Sequence, residues 1–295
     1  MNAVLAESRM SRNAPSLVEG EFHFTSEDFQ RISKILYQDS GISLSDAKAA
    51  LVYSRLAKRL RALGLENFRD YCELVAGAQG LDERQAMLAA LTTNVTRFFR
   101  EGHHFEHLRD RVVPEHINRV RAGGRLRFWS AACSSGQEPY SMAMSLLAAM
   151  PDALDQDVKI LATDIDPNMV RAAKLGIYNE ANLDEIPQDL RRNWFARAEE
   201  PRKWRVKPEL QSLIAFRELN LISDWPMKGQ FEALFCRNVV IYFDEATQER
   251  IWSRFAPQMN ENACLYIGHS ERVTGPASSV FFSDGMTTYR KRTPR

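Results

Sequence analysis

The sequence predicts an α/β protein: a doubly wound domain carrying a small inserted β-subdomain, preceded by an all-helical N-terminal domain. Three observations lead there. Apolar residues recur at helical spacing up to about residue 93, short β-rich runs alternate with helical patterns from Leu126 onward, and that alternation breaks over residues 179 to about 218. With 295 residues, 44% of them apolar, the chain can bury a sizeable core in about two domains.

Residues 1 to about 20 lack periodicity and are expected to form a flexible tail. The helical domain then spans residues 21–93. Thr25 and Asp28 have the spacing of a capping box ahead of Phe29, Ile32, Ile35 and Leu36, and Gly41 ends that helix. Ser45 is the expected cap of a second helix, whose stripe of Val52, Leu56, Leu60 and Leu63 stops at Gly64. Two more helical patterns, ENFRDYCELVAG and LDERQAMLAALTT, complete the domain.

The second domain is expected over residues 94–295. LRFWSAA, VKILATDI, FEALFCRNVVIYF and ACLYIGHSE read as strands, separated by helices through PYSMAMSLLAAM, PNMVRAAKLG and EATQERIWSRFAPQM, which implies a parallel sheet. In the insertion, NLDEIPQDLRRNWF reads as helix and KWRVKPELQSLIAFRELNL as strands with a turn.

Composition narrows the function. Lys and Arg number 39 against 38 Asp and Glu, so no global field draws the protein to nucleic acid or an anionic membrane, and charged recognition must be local. No window has the length and apolarity of a membrane span, and the N-terminus has no signal-peptide core, so a cytoplasmic protein is expected. Cys72, Cys133, Cys236 and Cys264 lie far apart without a CxxC and read as buried, reduced thiols. His103, His104 and His107 do not make HExxH, because Glu106 is misplaced and no third ligand is evident; no metal is expected.

FWSAACSSGQEPY, residues 128–140, is a strand, a turn of small residues and a helix opening at Pro139. Doubly wound folds place a ligand there. Ala131, Ala132, Ser134, Ser135 and Gly136 would let a ligand approach the backbone, but one glycine stands where a dinucleotide fingerprint has three. As a bare pattern the turn fits an ordinary βα connection equally well. Glu138 suits a cationic aminoacyl group better than a phosphate, and Asp164, ending the next strand, can accept from both hydroxyls of a ribose. Asp166, before Pro167, reads as a helix cap. These features together fit an adenosine without phosphates, of which S-adenosylmethionine is the common example.

LTTNVTRFFRE, FWSAACSSGQEPYSMAM, ATDID, GIY and FCRNVVIYFD stand in this order, with YSRLAKRLRALGL ahead of them. They resemble the signature blocks of the CheR chemoreceptor methyltransferases over about residues 25 to 290. The resemblance implies a protein-glutamate O-methyltransferase that uses S-adenosylmethionine, releases S-adenosylhomocysteine and serves chemosensory adaptation. Its partner would be the cytoplasmic domain of methyl-accepting chemoreceptors; a monomer without nucleic-acid binding is expected. Asn94, Thr96 and Arg100 fall on the family's clasp over the cofactor. Glu138 falls on its contact to the methionine amino end and Asp164 on its ribose ligand. Asn220, Leu221, Arg237 and Asn238 fall on positions around the adenine and methionine portions, although Leu221 serves equally well as packing.

The acceptor chemistry needs no base, because a carboxylate of reference pKa about 4.3 is ionised near neutrality. Arg100 could grip a carboxylate in a bidentate fork, and the resemblance marks it as an active-site residue. Tyr242 could orient the acceptor through its hydroxyl, or be a partly buried aromatic. The segment Asn238–Phe243 departs from the NPPY-type motif of amino-group methyltransferases. Intact Arg100, Glu138, Asp164, Asn238 and Tyr242 argue against a scaffold that has lost catalysis. On the second helix Lys48, Arg55, Lys58 and Arg59 cluster on one side and are expected to meet an acidic receptor surface. Some family members tether a receptor peptide on the inserted β-subdomain; the turn AEEPRKW has no glycine, unlike the loop of tethering members, so no tether is expected.

Overall fold

The computed structural model divides the chain into two compact units, Met1–Thr93 and Asn94–Arg295, within which residues 15–293 are described. Residues 1–14 of the expected tail lie outside the described residues. The rest of that stretch is tied down, with the Leu17 N–H donating to the Phe24 carbonyl at 2.7 Å and the Ser16 hydroxyl to that of Val18 at 2.8 Å.

In the first unit, helix α1 (Ser26–Ser40) opens on the Thr25–Asp28 capping box and closes on Gly41, whose φ of 76° suits a residue without Cβ. Helix α2 (Ala49–Leu63) closes on Gly64 in the same way. Its start differs from the expectation: the Ser45 side chain makes no capping bond, and a 3-10 turn, Asp46–Lys48, precedes the helix. Helices α3 (Phe68–Ala76) and α4 (Leu81–Leu91) follow. Their apolar faces meet around Phe24, Phe29, Ile32, Leu56, Leu60, Phe68 and Tyr71, all buried.

In the second unit, α5 (His103–His107) runs through a π-turn (Leu108–Val112) into α6 (Val113–Arg121). There follow β1 (Leu126–Ala131), α7 (Gln137–Ala149), β2 (Val158–Asp164) and α8 (Pro167–Leu175). Next come β3 (Ile177–Asn179), α9 (Gln188–Trp194), β4 (Phe195–Arg197), β5 (Lys203–Val206), α10 (Pro208–Ser212) and β6 (Ile214–Glu218). The unit ends with β7 (Phe231–Cys236), α11 (Glu245–Phe255), β8 (Met259–Ile267), β9 (Phe281–Gly285) and β10 (Thr288–Lys291). The main sheet has the order β6-β2-β1-β7-β8-β10-β9. It is parallel through β8, as the βα rhythm implies, and antiparallel at β10 and β9. Among the described residues no helix is long and apolar enough to cross a membrane.

Side chains alternate across the pleat, so Phe128 and Trp129 serve opposite faces of the sheet. Trp129 packs edge-on to Trp225 and Phe255, at 5.1 and 5.4 Å between ring centres. Phe235 stacks between Phe105 and Tyr266 at 5.6 and 4.2 Å. Both faces are therefore covered, as a parallel sheet requires.

The insertion is smaller than the expected 179 to 218. A three-stranded sheet of order β3-β5-β4 begins at Ile177, and Ile214–Glu218 is an edge strand of the main sheet, paired in parallel with β2. Within KWRVKPELQSLIAFRELNL, the stretch after Lys207 turns helical because Pro208 at the helix start has no N–H to lose. In the AEEPRKW turn, Arg202 takes a left-handed φ of 59°, the conformation a glycine would adopt without strain.

Candidate functional site

The chain turns back on the two sides of β1, towards β2 and β6 in one direction and β7 and β8 in the other, which makes the carboxyl ends of β1, β2 and β7 the topological switch point. Backbone conformation there is unusual. Ala132, Ser134 and Asn238 have φ values of 68°, 50° and 58°, beyond the ends of two neighbouring strands. Each such residue costs about 1–3 kcal/mol and persists only where its surroundings over-determine it, a pattern concentrated at ligand sites.

The surroundings are carboxylates. Asp164 at the end of β2 accepts the Ser134 N–H at 2.7 Å through one oxygen and the Asp166 N–H at 2.9 Å through the other. It thereby joins the turn after β1 to the turn after β2. Burial pushes its carboxyl up to about 6, against the pull of those N–H groups. Asp166 is the helix cap, accepting from Asn168 at 2.9 Å. Asn94 donates to the other Asp166 oxygen at 3.3 Å, and its carbonyl accepts the Ser134 hydroxyl at 3.2 Å. The Leu219 N–H donates to the Asp164 carbonyl, which sets Asn220 beside the same strand end.

Glu138, in the first turn of α7, accepts from the Ser130 hydroxyl at 2.7 Å and from Arg237 at 3.0 Å. Its carboxyl is raised by burial, with Arg237 and Ser130 opposing. Arg237 is enclosed, its guanidinium also 3.3 Å from Glu101, bonded to the Arg100 carbonyl and lying over the Phe105 ring. Burial would push the Glu101 carboxyl up, but Arg237, His269 and His104 outweigh it and hold it below the usual range. Two bonded groups, Asn94 with Ser134 and Asp164, and Glu138 with Arg237 and the Arg100 carbonyl, thus stand at the three strand ends. Thr96 is half-buried in the segment joining Asn94 to Arg100.

Other positions differ from their expected use. Gly136 does not admit a ligand: a Cβ there would lie 2.9 Å from both the Ala173 Cβ and the Tyr178 hydroxyl, so its bareness serves packing, and its φ of 98° the turn. Leu221 is buried and its carbonyl caps the Trp225 indole and Arg254, which favours the packing alternative. Tyr242 ends a 3-10 turn, Val240–Tyr242, and is half-buried. His104 and His107 bond Thr287 and Tyr266 at 2.9 Å, and burial lowers His104 to about 3.

Within the first unit, the four basic residues divide. Lys48 and Lys58 are exposed. Arg55 instead donates to the carbonyls of Ala90, Leu91 and Thr92, satisfying the last turn of α4. Arg59 forks onto buried Glu83 at 2.9 and 2.5 Å, where Tyr71 also donates. These two arginines are internal anchors, because helix carbonyls and a buried carboxylate need partners more than solvent does.

Three residues absent from the sequence reading hold its candidates in place: Glu101 pairs with Arg237, Ser130 donates to Glu138, and Glu271 accepts the Asn238 N–H. Glu101 directly follows Arg100 in FFRE, and Glu271 ends the strand block ACLYIGHSE; nothing in their local spacing told them from solvated carboxylates.

An adenosyl cofactor fits this arrangement. A carboxylate offers about four acceptor positions, and the backbone N–H groups of Ser134, Ile165 and Asp166 leave Asp164 room to accept from a ribose hydroxyl. Comparison with known proteins agrees. The model for the "CheR methyltransferase, SAM binding domain" matches residues 94–289 and that for the "CheR methyltransferase, all-alpha domain" residues 27–92. The chain is 55% identical over 261 residues to a "Probable chemotaxis protein methyltransferase" of Rhizobium etli, covering 88% of this chain and 97% of that protein. It is 43% identical over 285 residues to "Chemotaxis protein methyltransferase 2" of Pseudomonas aeruginosa, covering 95% and 99%. Over 265 residues it is 43% identical to the "Chemotaxis protein methyltransferase" of Escherichia coli, covering 88% and 89%.

Proposed function

The chain belongs to the CheR methyltransferase family, and from that membership we propose that it methylates glutamate side chains of chemoreceptors with S-adenosylmethionine, leaving methyl esters and S-adenosylhomocysteine, in chemosensory adaptation. The observation that carries the reading is the pair of enclosed carboxylates, Asp164 at the carboxyl end of β2 and Glu138 in the first turn of α7, beside the strained residues that follow β1 and β7. The cofactor supplies an electrophilic methyl on a sulfonium. Asp164 holds the ribose and Glu138, kept in place by Ser130 and Arg237, faces the amino end of the methionine portion. Asn94, Thr96, Asn220 and Asn238 line the rest.

The glutamate acceptor arrives ionised, so the protein's work is alignment in a dry site rather than proton transfer. Arg100 grips a carboxylate and Tyr242 orients the acceptor oxygen. Lys48 and Lys58, exposed on the first unit, meet acidic receptor surface; Arg55 and Arg59 support the helix that carries Lys58. The methylated glutamates lie in the receptor's cytoplasmic domain, so the enzyme works in the cytoplasm.

Incubation with methyl-labelled cofactor and receptor-containing membranes should give base-labile label released as methanol. Cofactor binding with no such label on any cognate receptor would sink the glutamate assignment.

Asp164 makes the cofactor step pH-dependent. Its carboxyl titrates at about 6, above the ordinary range, so the proton it takes up on folding stabilises the unit at low pH and that contribution is lost as pH rises through about 6. Binding runs the other way, because the ribose needs an ionised acceptor. Calorimetric affinity for S-adenosylhomocysteine should strengthen as pH rises through about 6, and Asp164→Asn should bind weakly with that dependence gone. A flat wild-type profile across this range would remove Asp164 from the ribose.

A further inference from the structure

Glu271 lies in the turn that follows β8, and its buried carboxylate accepts four backbone N–H groups. Three are consecutive and belong to the chain leaving β7: Asn238 at 3.0 Å, Val239 at 2.9 Å and Val240 at 3.0 Å. The fourth is Gly268, at 2.5 Å. Successive N–H groups converging on one anion form a nest, which requires the backbone to curl, and Asn238 supplies the left-handed φ of 58°. With about four acceptor positions in a carboxylate, Glu271 has none left for substrate.

Gly268 also lies hard against Asn238. A Cβ on Gly268 would stand 2.4 Å from the Asn238 amide nitrogen and 2.8 Å from its backbone nitrogen. Beyond the nest the chain makes the 3-10 turn, with the Tyr242 N–H on the Val239 carbonyl at 3.2 Å and the Phe243 N–H on that of Val240 at 2.9 Å. Val240 is buried beneath it while Ile241 is exposed. The conformation that sets Asn238 and Tyr242 is therefore imposed from β8, through one carboxylate and one bare Cα.

We propose that Glu271 is a positioning residue for methyl transfer, which fixes Asn238 against the cofactor and Tyr242 against the acceptor by holding the N–H groups of residues 238 to 240, with Gly268 as the seat. The inference rests on the reading of Asn238 and Tyr242 as site residues. A carboxylate is required because glutamine, of nearly the same shape, would turn an NH2 group toward donors.

The test uses the full chain as E271Q and as G268A, which keeps Glu271 but pushes directly on Asn238. Affinity for S-adenosylhomocysteine, kcat and KM are measured per mole of protein that melts cooperatively. In both variants affinity should weaken about tenfold and kcat fall about 10–100-fold, as when partners that orient a site residue are removed. A purely structural glutamate would change the melting temperature and leave these values per folded molecule unmoved. Wild-type affinity and kcat in either folded variant overturns the proposal, and if E271Q does not fold, G268A decides. Should the wild type put no label on receptors, the glutamate assignment fails by itself, while the affinity measurements still test Glu271.

Discussion

Replacing Arg237 by methionine should destabilise the C-terminal unit by about 3–5 kcal/mol and leave no measurable methyl transfer. The Arg237 side chain is 2% exposed and its two carboxylate partners, Glu138 and Glu101, only 12% and 14%. With the guanidinium gone, both carboxylates stay enclosed without a counter-charge, and the Arg100 carbonyl loses its donor. Such loss costs far more than the ion pairs themselves contribute, because desolvated charges are left uncompensated. Lysine should recover only part of the stability, since one ammonium cannot span Glu138, Glu101 and a carbonyl as a planar fork does. The triple variant R237M, E101Q and E138Q should recover stability without recovering transfer. Denaturant unfolding checks this, and a loss below about 1 kcal/mol in R237M would mean that the cluster is not a buried charge network.

Arg100→Ala should do the reverse, lowering transfer about 100–1000-fold, the range for removing a charge-stabilising donor from an active site, while changing stability by less than about 1 kcal/mol. The asymmetry follows from how the residue is held. Its backbone carbonyl is pinned by Arg237, whereas its half-buried side chain, among the described residues, bonds only the Val95 carbonyl, at 3.0 Å. Losing the side chain therefore leaves the clasp segment anchored. Arg100→Lys should restore little if the role is a bidentate grip on a carboxylate. Turnover within about twofold of wild type in R100A, with melting unchanged, would take Arg100 out of the site.

The two arginines differ in how far the sequence could distinguish them. Both stand in motif blocks, and the chain order alone makes both site candidates. That Arg237 is spent on carboxylates 99 residues before it, at Glu138, and at Glu101 became visible only when β1 and β7 paired.

What the sequence determined by itself was whatever depends on neighbours a few residues apart. The Thr25–Asp28 box and the glycines closing α1 and α2 are local conformational requirements, and the βα alternation that announces the switch point is a local periodicity. Asp164 could be picked out because it ends a strand of that alternation, where doubly wound folds place their ligands. Tertiary structure decided the rest. It took β6 into the main sheet, reversed the last two strands, filled the missing Cβ of Gly136 with Ala173 and Tyr178, turned Arg55 and Arg59 inward, and set Glu271 beneath Asn238. The reason is common to all of these. A charged or small residue looks alike in sequence whether solvent or a buried partner satisfies it, and only the chain's distant contacts determine which.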